Sequence, residues 1–205
     1  TAKLTANLLE KSGVDRVLAM DLHSAQIQGY FDIPCDHIYG SPVLIDYLES
    51  LDLEEIVVVS PDVGGVARAR AFAKLMNDAP LAIIDKRRAA HNIAESLTVI
   101  GEVKGKTAIL IDDMIDTGGT ICSGANLLKK EGANRIFACA SHAVFSPPSH
   151  ERLSSKNLFE QVIVTNSIPV IYKDNFPQLK VLSVANMLGE AIWRIHEESS
   201  VSSMF

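Results

Sequence analysis

Two kinds of hydrophobic pattern alternate along the chain, and together they predict alternating strands and helices. Short apolar runs rich in β-branched residues are typical of strands that are buried on both faces. Seven runs of this kind are present: Val14–Met20, Ile56–Ser60, Leu81–Asp85, Thr107–Asp112, Arg135–Ala140, Gln161–Thr165 and Lys180–Val184.

Longer segments with apolar residues at helical spacing lie between these runs. The predicted helices are residues 1–11, Pro42–Leu51, Val66–Met76, Ile121–Glu131 and Ala185–Glu197. Strands that alternate with helices indicate a mostly parallel sheet covered on both faces. One pair differs, because Leu97–Ile100 and Thr107–Leu110 flank a short segment with two glycines, and this pattern predicts an antiparallel hairpin or flap.

Composition narrows the class of protein. The 205 residues are 47% hydrophobic and 21% charged, a globular balance. The net charge of -6 argues against a general nucleic-acid binder, which needs a basic face. No apolar run approaches the roughly 18 residues of a membrane span, so no membrane partner is expected. The three cysteines, which are far apart and odd in number, favour a reducing compartment over a disulfide framework: Cys35, Cys122 and Cys139.

The strongest chemical motif is Ile109–Thr120, which follows a predicted strand and precedes a predicted helix. A glycine-rich turn that opens a helix presents backbone N–H groups and the positive helix end to a phosphate. No lysine follows the second glycine, so this is not a Walker A loop. Asp112 and Asp113 would repel a pyrophosphate, but they suit sugar hydroxyls or Mg²⁺. The motif therefore predicts a sugar-phosphate site; the alternative is a turn with acidic solubilising residues.

Three further motifs follow other predicted strands. Ser60–Gly65 offers glycines for phosphate approach and Asp62 for a metal, although it also fits an ordinary turn. Asp85–Arg88 carries three consecutive cations that could neutralise a transferring phosphoryl group, or form a solvated basic turn. His23, in Asp21-Leu22-His23, could bind a metal-nucleotide, act as an acid or base, or be structural. Ligands of parallel α/β sheets bind beyond the carboxyl ends of the strands, so all four motifs should meet at one edge.

These motifs together resemble one family. Ile109–Thr120 resembles the phosphoribosyl diphosphate signature of phosphoribosyltransferases. With Asp21–Phe31, Ser60–Gly65, Asp85–Arg88 and the ending Ser200–Phe205, the whole chain resembles the ribose-phosphate diphosphokinase family, in its phosphate-activated class. The resemblance implies a phosphoribosyltransferase-like α/β fold: a twisted parallel sheet with helices on both faces and a small antiparallel flap.

The resemblance also implies an activity, in which the diphosphoryl group of Mg-ATP moves to the 1-hydroxyl of ribose 5-phosphate. His23 and Asp62 would then bind magnesium, and Lys86 and Arg88 would be catalytic cations on a mobile loop. Ribose 5-phosphate would be held by Asp112, Asp113, Thr117, Gly118, Gly119 and Thr120.

A regulatory site is implied as well, with inorganic phosphate as the activator. Its residues would be Gln28, Asp36, Ser200, Ser202 and Phe205. Two positions depart from the family pattern, because His37 stands where many members have Asn and Ser203 stands where many have Tyr.

The chain begins with Thr1, inside a helical pattern, and we expect it to be a fragment. The resemblance implies that residues 1–205 are the C-terminal domain, that residues 1–13 include an inter-domain helix, and that an N-terminal domain is missing. It further implies a homo-oligomer, a hexamer built from dimers. The expected compartment is the cytoplasm, with a plastid or mitochondrion as alternatives. Two alternative functions stay open: a salvage phosphoribosyltransferase and a non-catalytic associated subunit.

Overall fold

The computed structural model describes residues 1–87, 96–155, 157–171 and 176–205. Within these ranges the helices are α1 (Ala2–Lys11), α2 (Ser41–Glu49), α3 (Val66–Leu75), α4 (Gly119–Lys130), α5 (Ser149–Leu153) and α6 (Ala185–His196). The strands are β1 (Val17–Met20), β2 (Cys35–Ile38), β3 (Ile56–Ser60), β4 (Leu81–Arg87), β5 (Ser96–Ile100), β6 (Thr107–Ile115), β7 (Arg135–Ala143), β8 (Gln161–Thr165) and β9 (Leu179–Leu182). Short 3₁₀ turns cover Ala25–Tyr30 and Ser202–Met204.

In the part of the chain that the structure describes, seven strands form one sheet in the order β5-β4-β3-β6-β7-β8-β9. All neighbouring pairs are parallel except β4 and β5, which are antiparallel. β1 and β2 form a separate two-stranded parallel sheet. The predicted α/β class with its mostly parallel sheet is confirmed.

The central strands are apolar on both faces because each face lies under a helical layer. On one face Val58 and Ile109 pack with Phe72 of α3 and with Leu44 of α2. On the other face the alternate residues, such as Leu110, pack with α4. This period-two division of the buried residues explains why the strands appear in the sequence as continuous apolar runs.

The predicted hairpin between Leu97–Ile100 and Thr107–Leu110 is wrong. β5 pairs with β4, with Ile83 opposite Ile100, whereas β6 pairs with β3 and β7. The physical reason is burial: an apolar strand such as β6 is most stable at the centre of a sheet, where both faces are covered. The antiparallel flap therefore exists, but it consists of β4 and β5.

The small sheet is tied to the large one by a polar cluster at the carboxyl ends of β1 and β7. The buried Asp21 carboxylate accepts hydrogen bonds from the Ser141 hydroxyl and from Gly40 N, the latter at 2.7 Å. His142 Nε2 donates to Met20 O at 3.0 Å. This cluster fixes the start of the loop that carries His23.

Candidate functional site

The glycine-rich motif forms a cleft at the carboxyl end of β6. Gly118 is the N-cap of α4 and has φ +72°, in the left-handed region that favours glycine. A Cβ atom at Gly118 would also lie 3.2 Å from Leu153 Cγ. The cleft has a volume of about 250 Å³ and is lined by Asp112, Met114, Ile115, Asp116, Thr117, Gly118, Gly119, Thr120 and Ile121.

Because the N-cap Gly118 has no side chain, it does not cap the first backbone N–H groups of α4. Such N–H groups, at the positive end of a helix of 12 residues, are a suitable site for a phosphate. Thr117 and Thr120 are exposed beside them and can add hydroxyl donors. The structure thus brings the predicted ribose 5-phosphate residues of this loop together around one cleft.

The acid pair lies inside β6, not after it, because the strand continues to Ile115. The Asp113 side chain is only 3% exposed, and that of Asp112 is 22% exposed. His23 Nδ1 donates to Asp113 Oδ2 at 2.8 Å. Two motifs that are 90 residues apart in the sequence therefore meet at the sheet edge, as predicted.

Arg68 joins this group from the first turn of α3. Its Nη1 atom lies 3.0 Å from Asp112 Oδ1 and 3.2 Å from Asp113 Oδ1. Arg68 was not among the predicted site residues. The sequence does place it near the sheet edge, but Arg70 lies only two positions away, and the sequence does not indicate which arginine faces the acids.

The two carboxyl groups have different acidities. Burial and the neighbouring Asp113 raise the pKa of Asp112 to about 7. Burial alone would also raise the pKa of Asp113, but hydrogen bonds with Asp112 and His23 and the charge of Arg68 outweigh it, so the pKa of Asp113 is lowered. Asp113 is therefore the group that carries the negative charge near neutral pH.

The two predicted magnesium ligands each form a hydrogen bond with another residue of the protein. The His23 side chain is 73% exposed and is bound to Asp113. Asp62 is exposed, and its Oδ1 accepts a hydrogen bond from Gly65 N at 2.8 Å, at the start of α3. In the part of the chain that the structure describes, no group of three or more His, Cys, Asp or Glu side chains could hold a metal ion.

Of the two predicted catalytic cations, Lys86 lies within the described residues and Arg88 does not. Lys86 is exposed and lies within β4, opposite Leu97 of β5, so it is on a strand and not in a loop. The strand continues past Asp85 because β5 pairs with it as far as Arg87. Arg88 lies outside the described residues. The catalytic roles of Lys86 and Arg88 stay predictions.

The predicted regulatory residues lie around β2 and the C-terminus. Gln28 Nε2 is 3.4 Å from His37 Nδ1, and Asp36 is held by Arg16 at 2.6 and 3.0 Å. The Phe205 ring lies edge-on to Tyr39, with centroids 5.7 Å apart.

The C-terminal serines come shortly before Phe205 in the sequence. Ser200 O accepts a hydrogen bond from Arg194 Nη1 at 3.2 Å, and Ser202 begins the last 3₁₀ turn. At the two positions that depart from the family pattern, His37 accepts from Leu22 N and Ser203 Oγ accepts from Arg194. The role of this region in regulation stays a prediction.

Comparison with known proteins identifies the family. The sequence model described as "Phosphoribosyl synthetase-associated domain" matches residues 88–205, more than half of the chain. The chain belongs to this family. A relative named "Ribose-phosphate pyrophosphokinase" from Prochlorococcus marinus is 95% identical over 100% of the chain and 62% of its own length. One of the same name from Synechococcus elongatus is 74% identical with the same coverage.

A solved structure agrees with these relatives. The crystal structure of phosphoribosylpyrophosphate synthetase from Mycobacterium smegmatis matches with a TM-score of 0.88 and 44% identity, covering 97% of this chain and 64% of that one. The resemblance to the ribose-phosphate diphosphokinase family is thus confirmed. The chain spans 62% of the length of the first two curated relatives that it matches.

Among the described residues, no helix has the length and apolar character that crossing a membrane requires.

Proposed function

We propose that this chain carries the ribose 5-phosphate site of an enzyme that transfers the diphosphoryl group of Mg-ATP to the 1-hydroxyl of ribose 5-phosphate. The products are phosphoribosyl diphosphate and AMP. The observation that carries the proposal is the cleft at the end of β6, which is lined by the first residues of α4 and by Asp112, with Asp113 buried next to Asp112. One end of the cleft suits a phosphate, and the other suits hydroxyl donors.

In this proposal the cleft orients the substrate. The loop Thr117–Thr120 binds the 5-phosphate through backbone N–H groups and two hydroxyls, and Asp112 accepts hydrogen bonds from the ribose hydroxyls. Asp113, buried next to it, supports Asp112 in this role. Fixing both ends of the sugar sets the direction of the 1-hydroxyl. Such positioning supplies much of the rate in phosphoryl transfer.

The chemical step is a substitution at the β-phosphorus of ATP. The oxygen of the 1-hydroxyl forms a bond to that phosphorus, the bond to the oxygen shared with the α-phosphate breaks, and the hydroxyl proton leaves to water. Lys86 and Arg88, the proposed catalytic residues, would stabilise the negative charge on the transferring group. Lys86 is suited to this role because its side chain is exposed on β4.

Magnesium fits the acidic side chains at this edge, although they form no closed cage. Mg²⁺ retains several waters and is usually bound through one or two carboxylates together with substrate phosphates. We propose that Asp62 and His23 face it, which agrees with their exposure. The ion would supply neutralising charge on the ATP phosphates.

Further parts of the proposal rest on the resemblance. Inorganic phosphate would activate through Gln28, Asp36, Ser200, Ser202 and Phe205, and the full protein would be a homo-oligomer of the hexameric type with an additional N-terminal domain. Three free cysteines agree with a reducing compartment such as the cytoplasm.

Binding of ribose 5-phosphate to this chain tests the site directly. An NMR titration should show saturable shifts at Gly118, Gly119 and Thr120. Asp113→Asn should weaken binding by about tenfold or more, because it removes the negative charge that pairs with Arg68 and His23 next to Asp112 (about 1.4 kcal/mol per tenfold). Asp46→Asn, an exposed change on α2, is the control and should bind as the unchanged chain does. Equal affinity for all three chains would contradict the site.

Release of AMP tests the reaction. The chain completed with the part of the Prochlorococcus marinus relative that it does not span should release AMP from Mg-ATP only when ribose 5-phosphate is present. A salvage phosphoribosyltransferase would instead need a nucleobase and phosphoribosyl diphosphate, and a non-catalytic associated subunit would release no AMP. We expect the 205-residue chain by itself to bind the sugar phosphate with little transfer activity.

A further inference from the structure

Arg68 bridges the acid pair from a neighbouring element. It lies on α3, after β3, whereas Asp112 and Asp113 lie inside β6, and its Nη1 atom is 3.0 and 3.2 Å from one oxygen of each carboxylate. The Arg68 side chain is 30% exposed and that of Asp113 is 3% exposed. Charges that are partly shielded from water interact more strongly than charges on the surface.

Neighbouring carboxylates at the end of a strand repel each other, so their orientation depends on their partners. Asp113 N donates to Asp112 Oδ1 at 2.9 Å, and His23 binds Asp113 Oδ2. Arg68 faces the remaining Asp113 oxygen and shares Asp112 Oδ1. Arg68 Nη1 is therefore a cation that both carboxyl groups share.

Of the two arginines on α3, Arg68 is the one that contacts the acid pair. Residues two positions apart on a helix point in nearly opposite directions, and Arg70 is exposed. Gly65, just before the helix, lies close to Ser60 and Arg68. A Cβ atom at Gly65 would be too close to Ser60 Oγ, at 2.9 Å, and would touch Arg68 Nη1 at 3.9 Å.

We propose that Arg68 is a positioning residue for ribose 5-phosphate, which holds Asp112 beside the buried Asp113 so that Asp112, which lines the cleft, can accept hydrogen bonds from the hydroxyls of the sugar. The inference rests on the proposed function of the cleft. Arg68 acts through the two carboxylates, whereas the phosphate loop Thr117–Thr120 binds its part of the ligand separately. Loss of Arg68 should therefore affect recognition of the sugar and leave recognition of the phosphate unchanged.

The test compares two ligands on the 205-residue chain by NMR titration. Ribose 5-phosphate has both groups, whereas ethyl phosphate lacks the sugar hydroxyls. Arg68→Met should weaken ribose 5-phosphate binding by about tenfold and leave ethyl phosphate binding unchanged. Arg68→Lys keeps the charge but not the planar guanidinium, and should give a smaller loss for the sugar phosphate only. The control Arg70→Met should match the unchanged chain for both ligands.

The outcomes separate the two proposals. If the unchanged chain does not bind ribose 5-phosphate, both the proposed function and the role of Arg68 are overturned. If it binds and Arg68→Met binds equally well, only the positioning role is wrong. An equal loss for both ligands would mean that Arg68 supports the whole site structurally, which also overturns the role. If Arg68→Met does not fold, Arg68→Lys decides by the same comparison, and its melting temperature shows that the fold is intact.

Discussion

At the scale of single residues, His37 connects the loop of His23 to the predicted regulatory region. Its Nε2 atom accepts a hydrogen bond from Leu22 N at 2.9 Å, next to His23 in the chain, and its Nδ1 atom faces Gln28. A ring nitrogen that accepts a backbone N–H carries no proton, so the folded protein holds His37 in its neutral form. One imidazole therefore lies between a predicted regulatory residue and a predicted metal ligand.

His37 should make stability depend on pH. Burial lowers the pKa of His37, although the Asp21 carboxylate acts in the opposite direction. Because the folded pKa is below the unfolded value of about 6.5, the stabilisation is fully present above that pH and is lost as pH falls towards the folded pKa. Replacing His37→Asn keeps an acceptor that does not titrate. We expect the melting temperature of the unchanged chain to fall relative to His37→Asn between pH 8 and pH 5.5.

Two observations complete this test. His37→Ala removes the acceptor and should cost about 0.5–1.5 kcal/mol at pH 8. The other ionisable groups of the protein are common to both chains. A difference between the unchanged chain and His37→Asn that stays constant with pH would show that His37 does not titrate as the geometry requires.

At the scale of elements, the short helix α5 contacts the predicted phosphate loop Thr117–Thr120. Arg152 Nη1 donates to Thr117 O at 3.1 Å, and the fully buried Leu153 packs against Gly118. A short helix that the hydrophobic pattern did not predict thus contacts two residues of the predicted phosphate site. It holds the loop in the conformation in which the N–H groups of α4 face the cleft.

Substitutions in α5 should distinguish an effect on ligand binding by the loop from an effect on the stability of the fold. Arg152→Gln removes the contact with Thr117 and should weaken ribose 5-phosphate binding several-fold, with little change in melting temperature because the side chain is exposed. Leu153→Ala empties a buried position and should lower stability by about 2–5 kcal/mol. Glu151→Gln, an exposed neighbour on the same helix, is the control. If Arg152→Gln binds ribose 5-phosphate normally, α5 does not shape the loop.

At the scale of the whole molecule, hydrogen bonds between buried polar groups join the small sheet to the large sheet. Thr165 Oγ1 and Ser167 Oγ both donate to Ser141 O, at 2.7 and 2.9 Å, while the Ser141 hydroxyl donates to Asp21. β1 is thereby linked through β7 to β8. Each group in this cluster needs its partner, since an unpaired buried polar atom is costly.

Ser141→Ala should therefore destabilise the entire chain. It leaves the buried Asp21 carboxylate without its hydroxyl donor, at a cost of about 1–3 kcal/mol, which corresponds to a decrease in melting temperature of roughly 2–12 °C at this chain length. Ser155→Ala, at an exposed serine, is the matched control and should have little effect. Calorimetry of both variants at neutral pH measures the difference, and equal melting temperatures would mean that the two sheets are not coupled through Ser141.

The sequence by itself determined the alternation of strands and helices and the place of the glycine-rich turn that opens α4. These features are local: apolar runs specify buried strands, and the glycines after Asp112–Asp116 specify a turn that opens a helix. The bounds of β3 and β8 agree with the predicted ones because turn residues flank both runs.

Only the tertiary structure decided which distant groups meet. The pairing of β5 with β4, the choice of Arg68 over Arg70 and the contact of Ser141 with Asp21 each join segments that are far apart in the chain or depend on the rotation of a helix. Packing selects such contacts. Many pairings of these segments agree with the same local sequence pattern, and the native one buries both faces of the sheet while it pairs the polar groups.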